Sequence, residues 1–174
     1  NPKPRIFRLE KDQALINRLG FNNHGSETVS RRISNNHPDG FLGINIGPNK
    51  ETKNKEEDYY ICLSRLAMHA GYITINISSP NTEGLRNFHD QEEMKKLLSG
   101  INKIIKEKKI ECPVAIKISP DINDNEISKI VDLVSSHKIQ GIIVSNTTDS
   151  NRNNLSDIKK HETGGLSGQP LKDI

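Results

Sequence analysis

From residue 41 onward the sequence alternates between short apolar runs rich in Ile and Val and longer stretches with helical spacing. The runs are Phe41 to Ile46, Tyr72 to Ile77, Val114 to Ile118 and Gly141 to Val144. Between them lie Lys55 to Ala70, Gln91 to Lys108 and Asp124 to His137. Runs so short and so continuously apolar predict strands buried on both faces. In the last of the longer stretches Ile127, Ile130, Val131 and Val134 recur as one face of a helix does. Consecutive strands begin roughly 30 to 40 residues apart, the length of a βαβ unit, so they should be parallel neighbours in an α/β fold. Asp124 is expected to cap the last helix with Glu126 in its first turn, and Asp90 to cap the one before. Ahead of residue 41, Ala14 to Leu19 and Thr28 to Ile33 read as short helices joined by Gly20 to Gly25, and Asn35 to Gly40 as a turn-rich connector.

Several functions are excluded or disfavoured. Leu, Ile, Val and Phe make up about a quarter of the 174 residues, enough for a buried core and too many for a disordered chain. No apolar run approaches the ~20 residues of a membrane span, and residues 1–8 lack the apolar stretch of a signal peptide. The net charge is only +3, and the densest basic cluster, Lys103 to Lys109, contains Glu107 within a helical pattern. A solvated helix face is expected there, not a nucleic-acid surface. Cys62 and Cys112 fit a reducing compartment. The six His residues show no ligand spacing, so no metal site is expected.

The informative feature is what closes each strand. Asn45 follows Ile44; Asn76 to Thr82 follow Ile75; Lys117 to Asp121 follow Ile116; Ser145 to Thr148 follow Val144. In parallel α/β folds these C-terminal ends share one face, where active sites are kept. Polar residues also end strands simply because loops follow, but that accounts poorly for Lys117 between Ile116 and Ile118, where a buried ammonium would need a negative or accepting partner. The set lacks a histidine, and its one carboxylate, Asp121, sits behind a proline. Amides and hydroxyls suit the reading of a planar, amide-rich ligand, with electron chemistry left to a cofactor. The segment Glu162 to Gly168 could present backbone N–H groups to a phosphate, or be a flexible loop. A barrel using Lys117 as a Schiff-base nucleophile, and a non-catalytic barrel fragment completed by a partner chain, are the alternatives.

At these residues the chain resembles the dihydroorotate dehydrogenases, in particular the class 2, quinone-dependent branch. The stretches that carry the resemblance are Pro4 to Leu9, Ile16 to Gly25, Gly43-Ile44-Asn45-Ile46-Gly47 with Asn49-Lys50, Asn76-Ile77-Ser78-Ser79-Pro80-Asn81-Thr82 with Gly84-Leu85-Arg86, Lys117-Ile118-Ser119-Pro120-Asp121, Ser145-Asn146-Thr147-Thr148, and Glu162 to Gly168 with Pro170-Leu171. They follow family order over essentially the whole chain.

The resemblance implies an FMN-dependent (β/α)8 TIM barrel that oxidises dihydroorotate to orotate in pyrimidine synthesis, with residues 1–174 forming part of that single domain. Ser79 matches the general base that takes the C5 proton while the C6 hydride passes to flavin N5; class 1 enzymes carry a cysteine there. Thr82 and Phe21 match positions that shape the proton path. Asn17, Phe21, Asn76, Asn81, Asn146 and Thr147 match substrate contacts, and Asn45, Asn76, Lys117, Ser145 and Gly168 match FMN contacts. Lys117 would stabilise the anionic reduced flavin. Ser145 departs from the family's common threonine but keeps the hydroxyl. The resemblance also implies that amphipathic N-terminal helices forming a membrane-facing quinone entrance, and the last βα units with their phosphate-binding loops, lie outside this chain. The intact enzyme would be a peripheral membrane protein, on the inner membrane in a bacterium. About half a barrel leaves unpaired strand edges and an uncovered inner face, so residues 1–174 alone are expected to be unstable.

Overall fold

The computed structural model describes residues 3–36, 38–79, 88, 90–150 and 152–172. Its main layer is a parallel sheet of β3 (Gly43–Ile46), β4 (Tyr72–Asn76), β5 (Val114–Lys117) and β6 (Gly141–Ile143), in spatial order β3-β4-β5-β6. Helices α2 (Lys55–Leu66), α3 (Gln91–Lys108) and α4 (Asp124–Ser136) connect successive strands, and α1 (Ser26–Asn35) precedes β3. All four predicted strands and the three helices between them form. The expected helix over Thr28 to Ile33 lies within α1.

The helices form where local chemistry agrees with packing. In α3, Met94, Leu97, Leu98 and Ile101 share one face at helical spacing and are fully buried. Each such side chain contributes about 2 kcal/mol of burial. Asp90 caps this helix as expected, accepting from the backbone N–H groups of Glu92 and Glu93, and Lys109 ends it in the left-handed conformation. The cap of α4 is a correction: Asn123 takes that role, in a capping box with Glu126, and Asp124 is the first helical residue.

Burial of the strands differs from the expectation. Only β4 is buried along most of its length on both faces; β3 alternates exposed and buried, and β5 buried and half-buried. Ile44, Ile46, Ile73, Ile75, Val114 and Ile116 point into the core beneath the helices. The opposite face carries Asn45, Thr74, Ala115 and Gly141 in one register row, and Asn76, Lys117 and Ile143 in the next. Phe41, expected in the first strand, lies outside it, 80% exposed and stacked on Tyr72.

A second sheet stands apart from the first. Strands β1 (Ile6–Leu9), β2 (Ala14–Asn17) and β7 (Gly165–Gly168) are antiparallel in the order β1-β2-β7. Its buried face carries Phe7, Leu9, Ala14, Ile16 and Leu166, joined by Leu155. The predicted helix over Ala14 to Leu19 is therefore wrong. Ala14 and Ile16 are buried while Leu15 is exposed, the period-2 pattern of a strand. A tight turn through Gln13, whose φ of 48° is left-handed, folds β2 back onto β1. The expected loop over Glu162 to Gly168 is also corrected, since its second half is β7. Among the described residues no helix is long and apolar enough to cross a membrane.

Candidate active site

The residues after the parallel strands meet at one rim. Asn76 ends β4 and is 7% exposed. Its carboxamide oxygen accepts from the Ser78 backbone N–H at 3.2 Å, the Ser78 hydroxyl at 3.3 Å and the Asn146 Nδ2 at 3.2 Å. Asn146 Nδ2 also reaches the Ser78 oxygen at 3.0 Å, while its own Oδ1 accepts from the Thr147 N–H at 2.8 Å. Ser78 is fully buried and Ser79, next in the chain, is 9% exposed. A network so fully bonded fixes its amide orientations.

Lys117 closes β5 as the register partner of Asn76. It is half-buried, and its ammonium makes no hydrogen bond or ion pair among the described residues. The expectation of a lysine enclosed in an apolar stretch is corrected by strand alternation: Ile116 and Ile118 turn into the helix-side core, and Lys117 turns to the opposite face. Asn45 is exposed on that same face, in the row below, beside Thr74. Ala115 and Gly141 continue that row with almost no side chain. The result is a shallow floor edged by amide and ammonium groups.

The loop after β6 is tied to the loop after β5 by Asp121. Its carboxylate accepts from the hydroxyls of Thr148 and Ser150, the latter at 2.7 Å, and from the Asp149 N–H at 3.4 Å. Thr148, 1% exposed, exchanges backbone hydrogen bonds with Leu166 of β7 and so joins the two sheets. Arg152 donates to the backbone carbonyls of Lys160, Glu162 and Gly164, and Arg18 pairs with Glu162 at 2.7 Å. Asp121 and Thr148 were visible only as members of strand-end motifs, with nothing in the sequence to say that they bridge loops.

The expected site residues fall into groups. Asn45, Asn76, Ser79, Lys117, Ser145, Asn146 and Thr147 all stand at or beside the parallel strands' C-terminal ends. Ser145 donates to the Asn146 carbonyl at 3.1 Å. Asn17 lies on the second sheet opposite Gly165, one step from the Leu166–Thr148 bridge, and its side chain reaches the Gly165 carbonyl at 3.5 Å. Phe21 rests on Gly47 where a side chain would otherwise stand, and shares with Asn45 and Cys62 a cavity of about 570 Å3. Gly168 is elsewhere: with a φ of +104° it abuts the backbone of Gln13 and Ala14 at the far end of β7. Two residues earlier, the Leu166 N–H donates to the Thr148 carbonyl and is not free for a phosphate. Asn81 and Thr82 lie outside the described residues. Cys62 and Cys112 are unpaired, and burial pushes both thiols above their ordinary pKa, which disfavours thiolate chemistry at neutral pH.

Comparison with known proteins identifies the family. The family model described as Dihydroorotate dehydrogenase matches residues 1–174. The chain is 47% identical to a dihydroorotate dehydrogenase (quinone) of Klebsiella pneumoniae, covering 99% of this chain and 53% of that protein. It is 44% identical to the one from Saccharophagus degradans, with the same coverage. The ligand-free crystal structure of the dihydroorotate dehydrogenase from Eimeria tenella superposes with a TM-score of 0.92 at 37% identity, covering 99% of this chain and 55% of the other. The chain thus spans about half the length of the curated relatives it matches, and its parallel βα units are part of a (β/α)8 barrel. Family match, sequence identity and superposition all lead to one statement: the chain belongs to the dihydroorotate dehydrogenase family.

Proposed function

We propose that this chain is the substrate-holding part of an FMN-dependent, quinone-reducing dihydroorotate dehydrogenase, which converts dihydroorotate to orotate in pyrimidine synthesis. The single observation that carries the reading is the shared Asn76–Ser78–Asn146 network, with Ser79 next to it and Lys117 beside it on one rim. Amide donors and acceptors at fixed positions match the alternating N–H and C=O groups of a dihydropyrimidine ring.

The donor set also fits a flavin. The floor formed by Thr74, Ala115 and Gly141 leaves room for a flat ring, and the Lys117 ammonium, unengaged among the described residues, supplies a cation at its edge. Asn45, Asn76, Lys117 and Ser145 would hold FMN, whereas Gly168 stands apart from them at the Gln13 turn. When bound, FMN supplies at N5 the acceptor for the hydride that leaves substrate C6.

The chain's own residues do the rest. Asn76, Asn146, Thr147 and Asn17, with Asn81, orient the ring and its carboxylate. Ser79 Oγ takes the proton from C5 as the C5–C6 double bond forms, and so one proton and one hydride leave the substrate. A serine hydroxyl is a weak base, so the proton must move on at once. Thr82 and Phe21 shape that exit. The quinone entrance and the peripheral membrane contact belong to parts of the enzyme other than these residues.

The test is an absorbance spectrum of the full-length protein before and after anaerobic dihydroorotate. The visible flavin band is expected to bleach. Ser79→Ala should keep the band and lose the bleaching at neutral pH by at least about a hundredfold in rate. A colourless protein, or one bleached equally fast without Ser79, would refute the assignment.

A further inference from the structure

Tyr59 lies on α2, on the opposite side of the sheet from the rim, and has no part in the mechanism above. It is fully buried. Its hydroxyl donates at 2.6 Å to the backbone carbonyl of Asn76, the residue whose side chain gathers Ser78 and Asn146. Its ring meets Phe88 edge to face, with centroids 5.8 Å apart. Phe88, 5% exposed, follows the segment 80–87 that begins directly after Ser79. Tyr59 therefore touches the chain on both sides of Ser79, at Asn76 and at Phe88. Burial, with the Cys62 thiol as a smaller cause, holds the phenol well above the ordinary tyrosine pKa, so it remains a donor at all working pH values.

We infer that Tyr59 is a positioning residue for the reaction: through the Asn76 carbonyl and the Phe88 ring it sets the placement of Ser79, which lies between them in the chain. The inference rests on the dehydrogenase reading. Ser79 needs to sit within hydrogen-bond reach of the C5 proton, and a displacement approaching 1 Å costs up to about a hundredfold in rate. Removing one oxygen atom beneath the strand end is a smaller disturbance, for which roughly a tenfold loss is expected.

The experiment uses the full-length, flavin-loaded protein in three forms: wild type, Tyr59→Phe, and Tyr60→Phe. Tyr60 is the neighbouring tyrosine, whose hydroxyl sits on Gly100 of α3 instead of the strand end. Three quantities are read: flavin bleaching by dihydroorotate per bound flavin, orotate affinity, and amide hydrogen exchange over 76–79. Tyr59→Phe should slow bleaching roughly tenfold, weaken orotate about fivefold, and speed exchange at these amides. Tyr60→Phe should match wild type. A lower melting temperature for Tyr59→Phe with unchanged bleaching and orotate affinity would mean packing alone and overturn the inference. Should Tyr59→Phe yield no holoprotein, Phe88→Leu replaces it, with a two- to threefold slowing expected and an unchanged rate counting against the idea. A wild type that dihydroorotate does not bleach removes both readings. A bleached wild type with an indifferent Tyr59 removes only this one.

Discussion

Asn146 donates its side-chain N–H to the carboxamide oxygen of Asn76 at 3.2 Å, although β5 lies between the strands they follow. Strands two apart in a sheet are separated by about 10 Å, so the two side chains can meet only if the later segment folds back over the end of β5. It does: the Asn146 N–H bonds the Ile118 carbonyl at 2.9 Å. The contact therefore reports how the loop after β6 is seated on the rim.

Asn146→Ala removes one donor to Asn76, one to Ser78, and the acceptor for the Thr147 N–H. A stability loss of about 1–3 kcal/mol is expected from the unsatisfied partners. Flavin bleaching by dihydroorotate should fall at least tenfold, because the same residue would hold the ring. Urea melts and stopped-flow bleaching of the full-length protein measure the two effects separately. Equal rates in mutant and wild type would remove Asn146 from the substrate site.

Lys117→Met tests the cation on the rim. The ammonium is half-buried beside Asn76 and faces away from the helix-side core. With the charge gone, the reduced flavin loses an electrostatic stabiliser, so its midpoint potential should fall and its bleaching slow by about 10²–10³. Lys117→Arg should recover part of the potential. A potential unmoved by Lys117→Met would place the ammonium away from the flavin ring.

How much of this was legible in the sequence depended on the range of the interactions. The strands β3 to β6 could be read because each is a short apolar run set between helices that declare their period over many residues, as Met94, Leu97, Leu98 and Ile101 do. Ala14 to Asn17 has no such helical frame around it: it fits a helix or a strand until its partners are known, and one of these, Gly168, lies far along the chain. The cap of α4 was missed by one residue because Asn123 and Asp124 can both cap; the spacing from Asn123 to Glu126 decides between them. The rim followed from strand ends alone. Tyr59 did not, since nothing in Glu56 to Tyr60 distinguishes a tyrosine that supports a strand end from one that packs on a helix. The position of Gly168 at the Gln13 turn was equally hidden, being set by the register of β7 on β2.

Acid should first loosen the link between the second sheet and the loop after Thr148. The Asp12 carboxylate is held below its ordinary pKa chiefly by the Ser156 N–H, with the Asp157 N–H and the Lys160 charge adding to it. A carboxylate lowered in the folded state stabilises at any pH above its unfolded value of about 3.9, and that contribution is lost as pH falls through the lower folded value. Amide exchange at Ser156 and Asp157 should therefore be steady from pH 7 to pH 5 after correction for intrinsic rates, and rise below pH 4. Asp12→Asn should show the faster exchange already at pH 7.

Residues 1–174 produced alone test what the open face costs. Among the described residues β3 and β6 each pair on one side only. Asn45 is exposed on the inner face, and Val144, just past β6, is 77% exposed. An unpaired parallel edge is a template for further strands, and a barrel avoids it only by closing. The helix-side core is well filled, so helical circular dichroism should be present. Heating should nonetheless give a broad transition with concentration-dependent aggregation, and added FMN should not co-elute on sizing. A monodisperse, yellow, sharply melting preparation of this span would show that the second sheet and the rim network close the inner face without further strands.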